Sequence, residues 1–240
     1  MTSQTAKDDG NPAPLGALLA GEPEAVARDL GRPALGTLGR HSTVIVIGAG
    51  LFGASIGLWR DPVQALYTAV KLPLILLLCA TGNALLNGII GAMLGLKLTF
   101  RQSFLAILMS FSIASTILGS VSPLLFFYVW NMTPFDPAHR TAEGYSGLMV
   151  LAVAAIAFAG IASNIRLVGW LDRANASRVL SLRVLFCWLA GNLVLGSQLS
   201  WILRPFFGSP NLDVQFVRAD AFQGNFFQAL WIAVRTVVDR

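Results

Sequence analysis

No Asp or Glu lies between Asp61 and Asp136, and none lies between Glu143 and Asp172. A soluble chain of 240 residues has to present charge to water on nearly every turn, so gaps of this length mean a surface that meets lipid or other protein. Charged residues make up 12% of the chain, where an ordinary soluble domain carries about 25%. The expectation is an all-α, polytopic transmembrane helical bundle. The net charge of +5, carried by 14 Arg and 3 Lys, then belongs to loops facing anionic lipid. The densest basic stretches, Arg28–Arg40 and Arg166–Arg183, are too sparse for a nucleic-acid site. Cys79 and Cys187 sit inside apolar runs and read as small hydrophobes. No long apolar core precedes Thr43, so no cleavable signal peptide is expected.

Five uncharged runs can cross a bilayer. Ser42–Trp59 is 18 residues, just enough at about 1.5 Å per residue, and Trp59-Arg60-Asp61-Pro62 closes it. After an amphipathic connector, Val63–Val70, the 25 residues of Leu72–Leu96 form the second, with Lys71 snorkelling to the headgroups and Pro73 in the first turn. The Lys97–Arg101 turn leads to a third at about 103–129, which Ser122-Pro123 kinks or ends; Leu124–Trp130 continues obliquely or lies at the interface. Tyr145–Ile165 and Val184–Leu203 are the fourth and fifth, joined by a basic connector, Leu167–Arg183. Residues 1–41 read as a flexible tail fragmented by Gly21, Pro23, Gly31 and Pro33, and 42–204 as the membrane domain. In residues 205–240, Phe222, Phe226, Phe227, Leu230, Trp231 and Val234 share one helical face, which predicts an interfacial amphipathic helix.

Nine basic residues flank the spans on the N-terminal side and five on the other, which predicts a cytoplasmic N-terminus. Arg-over-Lys usage in an Ala-rich chain suggests a high-GC bacterium, hence an inner membrane.

One stretch argues for a different protein. Val44–Gly57 runs from β-branched residues into Gly48-x-Gly50-x-x-Gly53, the spacing of a dinucleotide-binding turn. Such a unit needs an acidic residue about 20 positions on to hold the ribose, and Thr68–Ile75 offers Lys71 alone. A 25-residue uncharged run follows, for which a parallel sheet has no use. Gly48, Gly50 and Gly53 are therefore a false match, and no cofactor is expected.

The same glycines suit helix packing, where small residues let backbones approach closely in lipid. Ala49, Gly53 and Gly57 form one such stripe, Gly88, Gly91 and Gly95 a second, and Ser112, Thr116 and Ser120 a third. Asn83 and Asn87 on the second span, with Asn192 and Gln198 on the fifth, are intramembrane polar groups. They read as a cross-helix amide pair, or as a polar path for transport. No Asp, Glu, Lys, Arg or His is expected inside a span. His41 and His139 have no metal-ligand spacing, and no serine has an assignable His/Asp partner, so neither metal nor catalytic site is expected.

The core from Lys71 to Tyr128 resembles the Yip family of Rab-interacting membrane proteins and their bacterial relatives. The residues that carry the likeness are Lys71-Leu72-Pro73, the tight turn of Gly95–Thr99-Phe100-Arg101, and Ser122-Pro123. The resemblance implies a helical membrane scaffold without catalytic residues; no trafficking motif occurs in this tail, so the Rab role of the eukaryotic members is not carried over. The functional expectation is a non-catalytic scaffold or accessory subunit, partnered by lipids and by other membrane subunits or itself. The alternative is a transporter, channel or lipid-handling protein using the asparagine and glutamine groups.

Overall fold

A computed structural model of the protein describes residues 14–20, 22–31, 35–93, 99–132, 143–174, 178–208 and 213–229, with Trp231 and Arg235. Two short helices, α1 (Leu15–Ala20) and α2 (Pro23–Gly31), precede five long ones. These are α3 (Leu35–Gly57), α4 (Pro62–Met93), α5 (Phe100–Trp130), α6 (Glu143–Ala174) and α7 (Arg178–Ile202). All five long helices are long and apolar enough to cross a membrane, and no strand occurs among the described residues. A helix satisfies its backbone groups internally, which lipid demands of any spanning segment. The chain is an integral membrane protein built as an all-α bundle.

Local chemistry sets several helix ends. Asp61 Oδ1 accepts from Val63 N (2.7 Å), and Pro62 occupies the first helical position of α4, where a missing N–H does no harm. Thr99 caps α5 in a capping box with Gln102, each side chain accepting from the other's backbone N–H at 3.3 and 3.0 Å.

α3 and α5 run parallel at the centre, with α4 antiparallel to α3. α7 packs antiparallel on the outer side of α4, and α6 on the outer side of α5, so that α6 and α7 touch only lightly. The proximal end, where α3 begins, holds one core cluster that includes Leu18, Val26 and Leu30 with Leu105, Leu108, Leu167 and Trp188. The distal end holds a second, around Phe52, Ile56, Trp59, Leu125 and Leu148.

Several boundaries differ from those expected. Residues 15–31 are not a tail lying on the surface: Leu18, Ala25, Val26 and Leu30 are buried, and α2 packs on α5 and α6. The glycines and prolines do break this segment, but into two helices that each contribute apolar residues to the core. α3 begins seven residues before Ser42 and takes in Arg40 and His41. The amphipathic connector Val63–Val70 is the first part of α4, so Pro73 is interior rather than in the first turn. Pro73 has no N–H for the Ala69 carbonyl, and that carbonyl lies on the face of α4 turned to Gly50. Ser122-Pro123 does not end α5 either; the helix runs on to Trp130, and Ser122 Oγ donates to Leu118 O (3.0 Å). Much of the basic connector 167–183 is helical, split between α6 and α7. Hydropathy locates the lipid-facing middle of a helix; it carries no information about where the hydrogen-bond ladder stops.

Candidate functional site

Val44–Gly57 lies wholly within α3. There is no strand for a dinucleotide turn to follow, and the glycine amides are committed to the helix. Their missing side chains are what the bundle uses. A Cβ added to Gly48 would stand 2.1 Å from the Ser115 carbonyl oxygen of α5, and one on Gly53 would stand 2.4 Å from that of Thr68 on α4. For Gly57 the obstacle is the Gln64 carbonyl oxygen at 2.6 Å; for Gly50, the Ala69 carbonyl oxygen at 3.3 Å. Ala49 is fully buried. Gly53 and Gly57 thus meet α4, while Gly48 meets α5, where Gly119 answers it with a Cβ position 3.0 Å from Gly48 Cα.

On α5 the face turned to α3 contains Ser115 and Gly119, whereas Ser120 is exposed and donates to Ile117 O of its own helix. Thr116 likewise donates back to Ser112 O, and Ser112 is buried. A four-residue repeat drifts by about 40° at each step on a helix of 3.6 residues per turn, so Ser112, Thr116 and Ser120 wind off the face they begin on. The backbone at Asn87, Gly88 and Gly91 is helical, but their surroundings lie outside the described residues, as does Gly95.

The amide groups expected to meet across helices do so at one point. Asn83 Nδ2 donates to Asn192 Oδ1 (2.8 Å) and to Trp188 O (3.0 Å), joining α4 to α7. Gly191 makes the room, since a Cβ there would stand 2.5 Å from Asn83 Oδ1. One layer further along, a Cβ added to Gly196 would stand 3.6 Å from Cys79 Sγ. Gln198, half-buried on α7, takes no part in this contact.

The most elaborate polar site lies at the distal end, and Lys71 is its centre. Lys71 was expected to reach the headgroups; instead it is fully buried. Its Nζ donates to Pro205 O (2.8 Å) and lies 5.0 Å from the ring of Phe216, with Phe206 and Tyr67 at 5.8 and 5.9 Å. Ring faces attract a cation at such distances, and no carboxylate pairs with it among the described residues. Gln64 and Thr68, both fully buried, stand on the same face of α4. Gln64 Nε2 donates to Pro205 O and Phe206 O, each at 3.0 Å, and Thr68 Oγ1 donates to Phe206 O at 2.6 Å. The turn after α7, through a cis Arg204-Pro205 bond, has no helix of its own to receive these carbonyls. Three side chains of α4 satisfy them. The signal was present in the sequence as polar residues at i, i+4 and i+7 (Gln64, Thr68, Lys71), which is one helix face.

A second exception to the expected charge-free interiors stands at the proximal end. His41 is fully buried in α3, its Nε2 3.2 Å from Asp29 Oδ2 of α2, and Arg40 also binds that carboxylate. The group holds α2 against α3; buried ion pairs fix position more dependably than they add stability. Among the described residues no three His, Cys, Asp or Glu gather in a way that could hold a metal. His139 lies outside those residues.

Aromatic residues close the distal end. Trp59 is buried and packs on Tyr145 (4.7 Å between centroids), which meets Phe207 edge-on at 6.2 Å. Arg204 stacks on Trp201 and pairs with Asp220 at 3.1 Å. In the C-terminal segment the backbone is helical at Phe226–Ala229, Trp231 and Arg235, with Asn225 Oδ1 accepting from Gln228 N (2.9 Å) as a cap. Phe222, Phe227 and Trp231 are exposed and Phe226 half-buried; Leu230 and Val234 lie outside the described residues. The chain matches no family model, no curated protein and no solved structure.

Proposed function

We propose that this protein is a non-catalytic scaffold or accessory subunit of a larger membrane assembly, held in a bacterial inner membrane with its N-terminus in the cytoplasm. The observation that carries the reading is the use made of its polar and glycine residues. Gly48, Gly53 and Gly57 bring backbones into contact, Gly191 makes room for the Asn83 side chain, and Asn83, Gln64, Thr68 and Lys71 each donate to another part of the same chain. A transport path along Asn83 and Asn192 would need those amides turned to a passing solute; here the Asn83 amide joins two helices packed tightly enough to require a glycine. The Yip-like core from Lys71 to Tyr128 implies the same kind of role.

What such a scaffold offers to others is apolar surface. In their most apolar stretches α6 and α7 are 22% and 17% buried, against 61% for α5. Phe158, Ile161, Phe186 and Leu193 are exposed on them. The test is native mass spectrometry of protein extracted from its own membranes in mild detergent. Co-purifying subunits or a defined oligomer are expected; a strictly monomeric, partner-free species would overturn the proposal. Orientation is tested separately with Asn225→Cys in a cysteine-free background. An impermeant thiol reagent should label it in intact cells, and labelling confined to lysed cells would reverse the topology.

A further inference from the structure

α6 and α7 diverge enough to leave an open groove of about 460 Å³ between them, floored by Gly160 and walled by Ile161, Asn164 and Ile165 of α6 and Leu185 and Leu189 of α7. Nothing comes within 4 Å of a Cβ placed on Gly160. The one polar side chain on the wall, Asn164, donates its amide to Gly160 O of its own helix at 2.7 Å, so the groove is apolar in effect. In volume it falls within the range of about 300–1,000 Å³ typical of small-ligand sites. A gap of this kind inside a bilayer is filled by whatever apolar body lies nearest.

The charge at its mouth selects the occupant. Ile165 and Leu185 mark the proximal end of the groove; Arg183, two residues before Leu185, is turned about 160° away from it around α7. Arg178 lies two turns before Leu185, on the same face of α7 and about 10 Å along the axis. Both arginines are exposed, and neither has an ion-pair partner among the described residues. We infer that the α6–α7 groove binds an anionic phospholipid, with one acyl chain lying over Gly160 and the phosphate held at Arg178. Basic side chains at the end of a groove between spans are a recurring way of holding anionic headgroups.

The test uses the full-length protein, delipidated in detergent, with palmitoyl-oleoyl phosphatidylglycerol or phosphatidylcholine added back and bound lipid counted by native mass spectrometry. One arginine at a membrane surface should favour the anionic lipid by roughly fivefold. Arg178→Gln should remove that preference while leaving chain binding in place, whereas Arg183→Gln, on the far side of α7, should leave it unchanged. Gly160→Phe, which fills the floor, should reduce the binding of both lipids, with an unchanged thermal unfolding midpoint showing that the bundle is intact. Equal binding of the two lipids to the unaltered protein overturns the inference. So does lipid binding indifferent to Gly160→Phe, or a dimer that forms in place of the lipid-bound monomer and is lost in that variant, since the groove would then receive a second copy.

Discussion

Gly48 and Gly160 are both helical glycines in apolar spans, and a methyl group added to them meets opposite surroundings. At Gly48 it would lie 2.1 Å from a carbonyl oxygen of α5; at Gly160 it would meet nothing within 4 Å. The first belongs to the three central helices, where backbone rests on backbone. The second belongs to the pair of outer helices, where a groove remains open. Composition does not separate the two, since each is a glycine among alanines, leucines and isoleucines. What separates them is whether a neighbouring helix is there to press on the missing side chain. Glycine frequency in a span therefore says little about packing, and the distance to the opposing backbone says nearly everything.

The contrast can be broken most decisively at its tight end. Gly48→Leu should prevent recovery of folded protein, and Gly48→Ala, although it adds one methyl, should cost about 1–3 kcal/mol as overpacking against backbone that cannot yield. Denaturant titration in detergent measures it. An Ala variant as stable as the unaltered protein would mean that α3 and α5 are not in contact at this point. Next in size is the distal latch. Gln64→Leu/Thr68→Val leaves the Phe206 carbonyl without its donors, at a cost of about 1–3 kcal/mol for a buried unpaired acceptor. The loss should be local, read as faster tryptic cleavage at Arg218 with the five spans still protected; uniform loosening of the whole bundle would contradict it. Gly160→Ala sharpens the other side of the comparison. With open space above it, the substitution should be neutral or stabilise by up to about 1 kcal/mol through helix propensity; a clear loss of stability would show the groove to be closed. The smallest effect is expected where α4 meets α7. A double-mutant cycle on Asn83→Ala and Asn192→Ala should give a coupling near 0.6 kcal/mol, the average for polar pairs in bilayers. A coupling of zero would mean that Asn83 bonds only to the Trp188 carbonyl.

The number of spans and their order were legible because lipid imposes length and apolarity on every spanning helix. The stripe of Gly53 and Gly57 was legible because a four-residue spacing keeps two residues on one face. Gly48 and Gly119 escaped the same search: they stand on a different face and on a different helix, and only the crossing of α3 with α5 pairs them. Asn83 and Asn192 could be nominated as polar groups in apolar runs, but which asparagine meets which depends on the register of α4 against α7. Lys71 was misread for a related reason. A lysine beside an apolar run is ordinarily a headgroup anchor, and the polar face it shares with Gln64 and Thr68 signals a polar partner without revealing that it is a carbonyl beyond the last span. His41 and Asp29 pair across the break between α2 and α3, where loop composition pointed to a tail. Local pattern fixes faces; partners distant along the chain decide what those faces meet.

The distance between Lys71 and its acceptor has a consequence for how the protein is made. Pro205 lies 134 residues downstream, so α4 must enter the bilayer and wait through the synthesis of three further spans before its ammonium is received. A lysine within a span opposes insertion, by up to about 3 kcal/mol at the centre and by less towards the end where Lys71 stands, and until the last helix and its following turn arrive that penalty stands uncompensated. The second span is thus held provisionally, and Pro205, Phe206 and Phe216, all beyond the last span, are what seal it.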